Sequence, residues 1–124
     1  MNLRVLYEDI HLIAVYKPAG LLTQGDSTGD PTLIDQVREY LKEKYKKPGN
    51  VFLGLLHRLD RPVSGIVLLA KTSKGATRLS EQIRNHELIK IYTALVDGKP
   101  ESQSATLINY LYKNNETKKS EVYL

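Results

Sequence analysis

Two nearly continuous apolar runs, Val51–Leu56 and Ile66–Ala70, stand on either side of the charged stretch "HRLDRPVSG", residues 57–65. This arrangement constrains the fold more than any other feature of the chain. Runs this short cannot span a bilayer, and they read as central strands buried on both faces. The stretch between them is then a connection at the end of a sheet. It carries His57, Arg58, Asp60 and Arg61, whose charges must find partners or water there. Pro62 pushes Arg61 out of the helical region, and Gly65 permits a positive φ or a close backbone approach. Such a loop can hold one carboxylate, Asp60, at the mouth of a cleft on a rigid sheet. A neighbouring arginine keeps that carboxylate ionised, as nucleophilic or general-base work requires. The plainer reading of the same residues is an ion pair of Asp60 with Arg58 or Arg61, and residue types alone favour it.

The rest of the chain supplies the surroundings of this connection. Arg4–Lys17 reads as two short strands. Val5 and Tyr7, then Leu12, Ala14 and Tyr16, alternate about a Glu8-Asp9 turn, and Pro18 stops the second strand. "TQGDSTGD" (23–30) is a polar loop with turn chemistry throughout. Asp30 as N-cap and Pro31 in the first turn open a helix over about 31–46, with Leu33, Ile34, Val37 and Leu41 on its apolar stripe. Arg38, Lys42, Lys44, Lys46 and Lys47 read as a solvated face. Ser73 caps a second helix over about 74–86, with Ala76, Leu79 and Ile83 inward. Further strands are expected at 88–96, 105–112 and 121–124. The irregular alternation implies an α+β domain, with a mixed, largely antiparallel sheet and two helices. A chain that stops inside an expected strand reads as part of a longer domain.

Composition narrows the function classes. The 124 residues suit one domain or less, and no cysteine is present, which excludes disulfides and cysteine-based metal sites. The three histidines are scattered without ligand spacing, so no metal is expected. There is no signal-peptide pattern and no apolar run long enough for a membrane, which makes the cytoplasm the default. Eighteen cations against 14 acids give a net charge of +4, which permits a polyanionic partner such as RNA without demanding one.

Two other signals carry less. "GDST" (25–28) is similar to the Gly-Asp-Ser block of some esterases, with Ser27 as nucleophile. The Asp-x-x-His that those enzymes use later in the chain is missing. Gly25–Gly29 can also be read as an anion nest, but it lacks the Walker spacing and lysine. A turn rich in Gly and Asp explains both.

At residues 57–72 the pattern becomes recognisable. "HRLDRPVSGIVLLAKT" resembles the signature of the RluA-type pseudouridine synthases, H-R-L-D-R/K-x-T-S-G followed by an apolar strand and A-K-T. "EDIHLIAVYKPAGLLTQ" (8–24) resembles the family's opening, and "KIYTALVDGKP" (90–100) its K-x-Y-x-A-x-V-x-G segment. The order and spacing of the three agree with the family, and together they cover nearly the whole chain. Val63 stands where the family more often has Thr. A segment of the type G-R-x-H-Q-I-R, which follows in the family, does not occur. The resemblance therefore casts residues 1–124 as the N-terminal portion of a single pseudouridine synthase catalytic domain.

The resemblance implies an activity: isomerisation of uridine to pseudouridine in structured RNA, tRNA or rRNA, with neither cofactor nor metal. By position, Asp60 matches the essential aspartate and Tyr92 the active-site tyrosine against the target base. Arg58 matches the arginine that displaces the flipped nucleotide. His57 and Arg61 belong to the same loop and are expected at the RNA, as are Lys17 and Lys71, read as loop cations that touch phosphates. The basic partner that the family's missing segment supplies to the aspartate is absent. The alternative is a catalytically incomplete RNA-binding fragment, which self-associates through exposed sheet edges.

Overall fold

The computed structural model describes residues 2–123. The chain forms two compact units, Met1–Lys90 and Ile91–Leu124.

In the first unit, strands β1 (Arg4–Glu8), β2 (Leu12–Lys17), β3 (Gly54–Leu55) and β4 (Gly65–Ala70) form one sheet in the order β1-β2-β4-β3. Among the described residues the strand pairs of this sheet are antiparallel, and an isolated parallel bridge joins Leu22 and Thr32. β2 pairs with β4 along its full length, from Leu12 opposite Ala70 to Lys17 opposite Gly65. Residues directly opposite share a face. Ile13 and Val15 therefore lie beside Leu69 and Val67, and all four are fully buried.

Helix α1 (Leu33–Lys44) covers that face with Leu33, Ile34, Val37 and Leu41, the residues its spacing predicts. Its cap is Thr32, not Asp30. Thr32 is extended, and its hydroxyl accepts the Asp35 N–H at 3.2 Å and donates to the Asp35 carboxylate at 2.8 Å. Asp35 stands at the third helical position, where a capping box has its acid, but it accepts the Thr32 hydroxyl rather than the main-chain N–H. Helix α2 (Ser73–Arg84) is also capped by a threonine, Thr72, one residue before the expected Ser73, with its hydroxyl accepting Gly75 N–H at 3.0 Å.

α2 packs on β3 and β4 at the far end of the opposite face, where Gly54 lies between Ala70 and Ala76. Because α2 covers only that end, the second face is partly open. Ile66 is 61% exposed and Phe52 50%. This corrects the expectation of two strands buried on both faces: residues 51–53 and 66–69 alternate in burial with the period of two of a one-sided sheet. The strand expected over Val51–Leu56 shrinks to two residues. Beyond it, the His57 ring rather than main chain takes the next β4 donor, Leu68 N–H, at 3.0 Å on Nε2.

The N-terminus of α2 crowds β2. A Cβ added at Gly75 would lie 2.7 Å from the His11 carbonyl oxygen. Gly75→Ala, ordinarily favourable in a helix, is therefore expected to destabilise by about 1–3 kcal/mol, read as a lower urea midpoint.

In the second unit, β5 (Tyr110–Asn114) and β6 (Lys119–Tyr123) form an antiparallel hairpin. Asn114 Oδ1 accepts the Glu116 and Thr117 N–H groups in the turn, and the Tyr112 hydroxyl donates to Glu121 across the strands at 2.5 Å. The strands expected at 105–112 and 121–124 are thus displaced to this hairpin, and Leu124 lies outside the described residues. The strand expected over 88–96 is not formed. Ile89, Ile91 and Leu95 are almost fully exposed. Strand propensity needs a partner ladder to act on, and among the described residues none runs beside this segment. No helix among the described residues is long and apolar enough to cross a membrane.

Candidate active site

The connection from β3 to β4 lies where β2 ends and β4 begins. Its main chain is fixed on both sides of Asp60. On one side the Thr23 hydroxyl, 3% exposed, donates to Leu59 O at 2.7 Å and accepts Leu59 N–H at 3.2 Å. A side chain thereby reproduces both hydrogen bonds of a strand partner. On the other side Gly20 N–H donates to Arg61 O at 2.8 Å, and Arg61 Nε donates back to Gly20 O at 3.0 Å. Val63 N–H closes a turn onto Asp60 O at 3.0 Å. Leu59 is buried beneath the loop, and a Cβ at Gly65 would stand 3.2 Å from its Cδ1. Gly65 has φ +153°, so it meets both needs of a glycine, close approach and a backbone few other residues adopt.

With Leu59 turned inward, Arg58 and Asp60 are exposed. The ion pair that residue types favour is not formed. The Arg61 guanidinium donates to Asp30 at 2.8 Å, and Asp60 has no ion-pair partner among the described residues. The loop presents a carboxylate on a fixed backbone, open to a ligand.

Lys17 corrects another expectation. It is not a loop cation available to phosphates: it is wholly buried, and its Nζ donates to Leu21 O at 2.6 Å, Arg61 O at 3.1 Å and Pro18 O at 3.2 Å. All three ammonium donors are used. Burial pushes the Lys17 ammonium below the ordinary lysine range, and the charge of Asp60 acts against that push. His57 is half-buried, and its Nε2 is committed to Leu68 N–H. Burial, aided by the charge of Lys90, lowers its pKa.

Lys71 is not brought to this loop. It follows the opposite end of β4, about 20 Å away at the rise of a strand. There its Nζ donates to Glu8 at 2.6 Å, Asp9 O at 2.6 Å and Tyr45 Oη at 3.2 Å. Glu8 also accepts from Lys44 at 2.9 Å and from the Tyr40 and Tyr45 hydroxyls at 2.9 and 2.5 Å. Burial alone would raise the Glu8 carboxyl, but these donors outweigh it and hold it at about 2. The cluster borders an open pocket of about 410 Å³ with Ile10, Lys47 and Phe52. Tyr92 belongs to the second unit and is 65% exposed.

Sequence reasoning missed Thr23 and the burial of Lys17. A threonine in a polar loop carries no mark of a clamp, and the Lys17-Pro18 pair looks like an ordinary strand end. Thr23→Val keeps the shape and removes both bonds to Leu59. It is expected to cost about 1–3 kcal/mol and to speed amide exchange at Leu59.

Comparison with known proteins gives this loop a context. Residues 11–123 match the family model "RNA pseudouridylate synthase". The chain is similar to the ribosomal large subunit pseudouridine synthase C of Buchnera aphidicola subsp. Acyrthosiphon pisum, 40% identical over 77% of this chain and 28% of that protein. It is also similar to the synthase C of Salmonella typhi, 37% identical over 89% of this chain and 33% of that protein. The synthase D of Zymomonas mobilis is 34% identical over 82% and 32%. The chain thus spans about a third of the length of these relatives. Among solved structures, human RNA pseudouridylate synthase domain containing 4 matches with a TM-score of 0.56 and 26% identity, over 68% of this chain and 30% of that one. The α+β arrangement and the exposed Asp60 on its clamped loop are therefore features of a chain that belongs to the RNA pseudouridylate synthase family, in its RluA-type branch.

Proposed function

We propose that the protein isomerises uridine to pseudouridine in structured RNA, and that Asp60 is its catalytic carboxylate. The observation that carries this reading is the Asp60 loop itself: an exposed carboxylate without an ion-pair partner among the described residues, on main chain fixed at both neighbouring residues. Asp60 either attacks ribose C1′ or assists loss of the base as an anion. The uracil rotates and rejoins ribose C1′ through C5; the C5 proton leaves and N1 takes up a proton, so atoms balance without a co-reactant. The glycosidic carbon cannot be reached inside a base stack, so the nucleotide is flipped out. Arg58, exposed beside Asp60, displaces it, and Tyr92 lies against the base. Arg61 supports the loop through Gly20 and Asp30 rather than meeting RNA first. The names of the similar bacterial proteins favour ribosomal RNA as substrate over tRNA.

The test is tritium release from C5-labelled uridine in ribosomal RNA and tRNA transcripts. Release from ribosomal RNA is expected; none from either transcript overturns the reading. A second reading, an RNA-binding but catalytically incomplete chain that self-associates, is favoured by one observation: Tyr92 lies in a segment that forms no strand. It predicts salt-sensitive RNA binding without tritium release.

A further inference from the structure

Positive charge gathers at the end of the sheet away from Asp60. Residues 42–47 hold Lys42, Lys44, Lys46 and Lys47 against one acid, Glu43. Cations in the last turn of a helix complement its dipole, which accounts for Lys42 and Lys44. It does not account for Lys46 and Lys47, which follow the last helical residue. There the chain folds back, with Lys46 at φ +50° and Lys47 N–H on Lys42 O at 3.1 Å, and Lys47 comes to line the open pocket of about 410 Å³ beside Glu8. The ammonium groups of Lys71, Lys44 and Lys47 stand 4.9, 5.4 and 5.8 Å from the centre of the Tyr45 ring. Glu8 engages the first two. The Asp9 carboxylate is committed to the Tyr7 hydroxyl and to the His11 and Leu12 N–H groups. Lys47 makes no ion pair among the described residues. In the same pocket the chain's single phenylalanine, Phe52, is half exposed, and Ile10 is more so. A lone apolar side chain on a surface is ordinary. Two of them in one concavity, with a cation at the rim that no acid engages, have the make-up of a binding site.

We infer that this pocket is a second RNA contact, taking an unpaired nucleotide of the substrate with its base against Phe52 and its phosphate at Lys47. The inference rests on the reading of RNA as substrate and extends it to a surface remote from the chemistry. Single-stranded nucleic acid is held where aromatic faces for the bases adjoin cations for the phosphates, and Phe52 and Lys47 supply one of each. An acidic peptide would use the lysine and leave Phe52 and Ile10 without a partner. The distance also suits RNA. Lys71 and Thr72 place the pocket just past the Ala70 end of β4, about 20 Å from the Asp60 loop at the rise of a strand. That is about six nucleotides at 3.4 Å each, so an RNA that presents a uridine to Asp60 is long enough to reach the pocket with its flanking nucleotides.

The test uses the full chain carrying ¹³C-labelled phenylalanine. Phe52 is the only phenylalanine, so its ring is a single-site NMR probe of the pocket. Titration with a short single-stranded oligouridylate is expected to move the Phe52 signal to saturation. Lys47→Gln, a change at an exposed side chain, is expected to weaken that binding by about fivefold at ~0.1 M salt and to lower the slope of log K against log salt by about 0.7. A Phe52 signal that stays still while fluorescence anisotropy shows the oligonucleotide binding overturns the inference, and so does unchanged binding in Lys47→Gln. A shift produced by polyglutamate and not by oligouridylate overturns it in favour of an acidic protein partner. Tritium release is read separately: turnover with a silent Phe52 removes this site and keeps the proposed activity, whereas a Phe52 shift without turnover keeps the site and removes the activity.

Discussion

Asp60→Asn is expected to abolish pseudouridine formation, by about 10³-fold or more, while leaving stability within about 0.5 kcal/mol of wild type. The two halves of this expectation come from one geometry. The carboxylate is exposed and makes no ion pair among the described residues, so its loss breaks no direct contact and removes only the charge that acts on Lys17. Asparagine preserves shape and main-chain bonding, including the Val63 N–H that closes onto residue 60 O. It removes the negative charge and the nucleophilic oxygen pair. The check combines tritium release with a urea melt. Turnover within tenfold of wild type would remove Asp60 from the chemistry. A large loss of stability would mean that the carboxylate holds the loop, contrary to the hydrogen bonds described.

Glu8→Gln is expected to have the largest effect on stability, a loss of about 2–4 kcal/mol. Glu8 gathers Lys71, Lys44, Tyr40 and Tyr45 around one carboxylate, and both Glu8 and Lys71 side chains are 10% exposed. Glutamine leaves Lys71 in place without its counter-charge. The same cluster sets an acid limb. The Glu8 carboxyl is held at about 2, against 4.5 for the free group. A depressed carboxylate stabilises the fold at pH above its unfolded value, and that contribution drains away as pH falls from about 4.5 towards 2. Melts across this window are expected to show a falling stability in the wild type, and a much flatter profile in Glu8→Gln. Equal slopes would show that the cluster contributes little.

Much of the fold was legible. β2, α1 and α2 follow directly from periods of two and 3.6 in residues 12–17, 33–44 and 73–84. The errors have physical causes. Both helix caps fell one or two residues from their expected places, because Thr32 and Thr72 compete with Asp30 and Ser73, and Asp30 is used by Arg61 instead. The segment 88–96 has strong β propensity but no neighbour to pair with. In the site, the exposure of Asp60 was foreseeable from its turn. The family resemblance ranked its chemistry above the ion pair, and the geometry removed that pair. The roles of Lys17 and Lys71 were not foreseeable, since a lysine reads alike whether it ends in solvent, on three carbonyls or on a glutamate. Only the tertiary fold decides which.

The pairing of Lys17 with Gly65 joins residues 48 apart in sequence. Such a contact is slow to reach, because the intervening chain must first give up its freedom of closure. The residues that hold the Asp60 loop from β2 and its exit meet that loop only when β2 finds β4, so no local segment can pre-assemble the loop. The side-chain period of two sharpens this further. A slip of one residue in that pairing would turn Lys17 to the other face of the sheet and leave the Arg61 carbonyl without its ammonium. Chains that mispair in this way would be compact, rich in strand, and without an assembled site. The fraction of functional molecules after refolding therefore reports strand register, and not merely collapse.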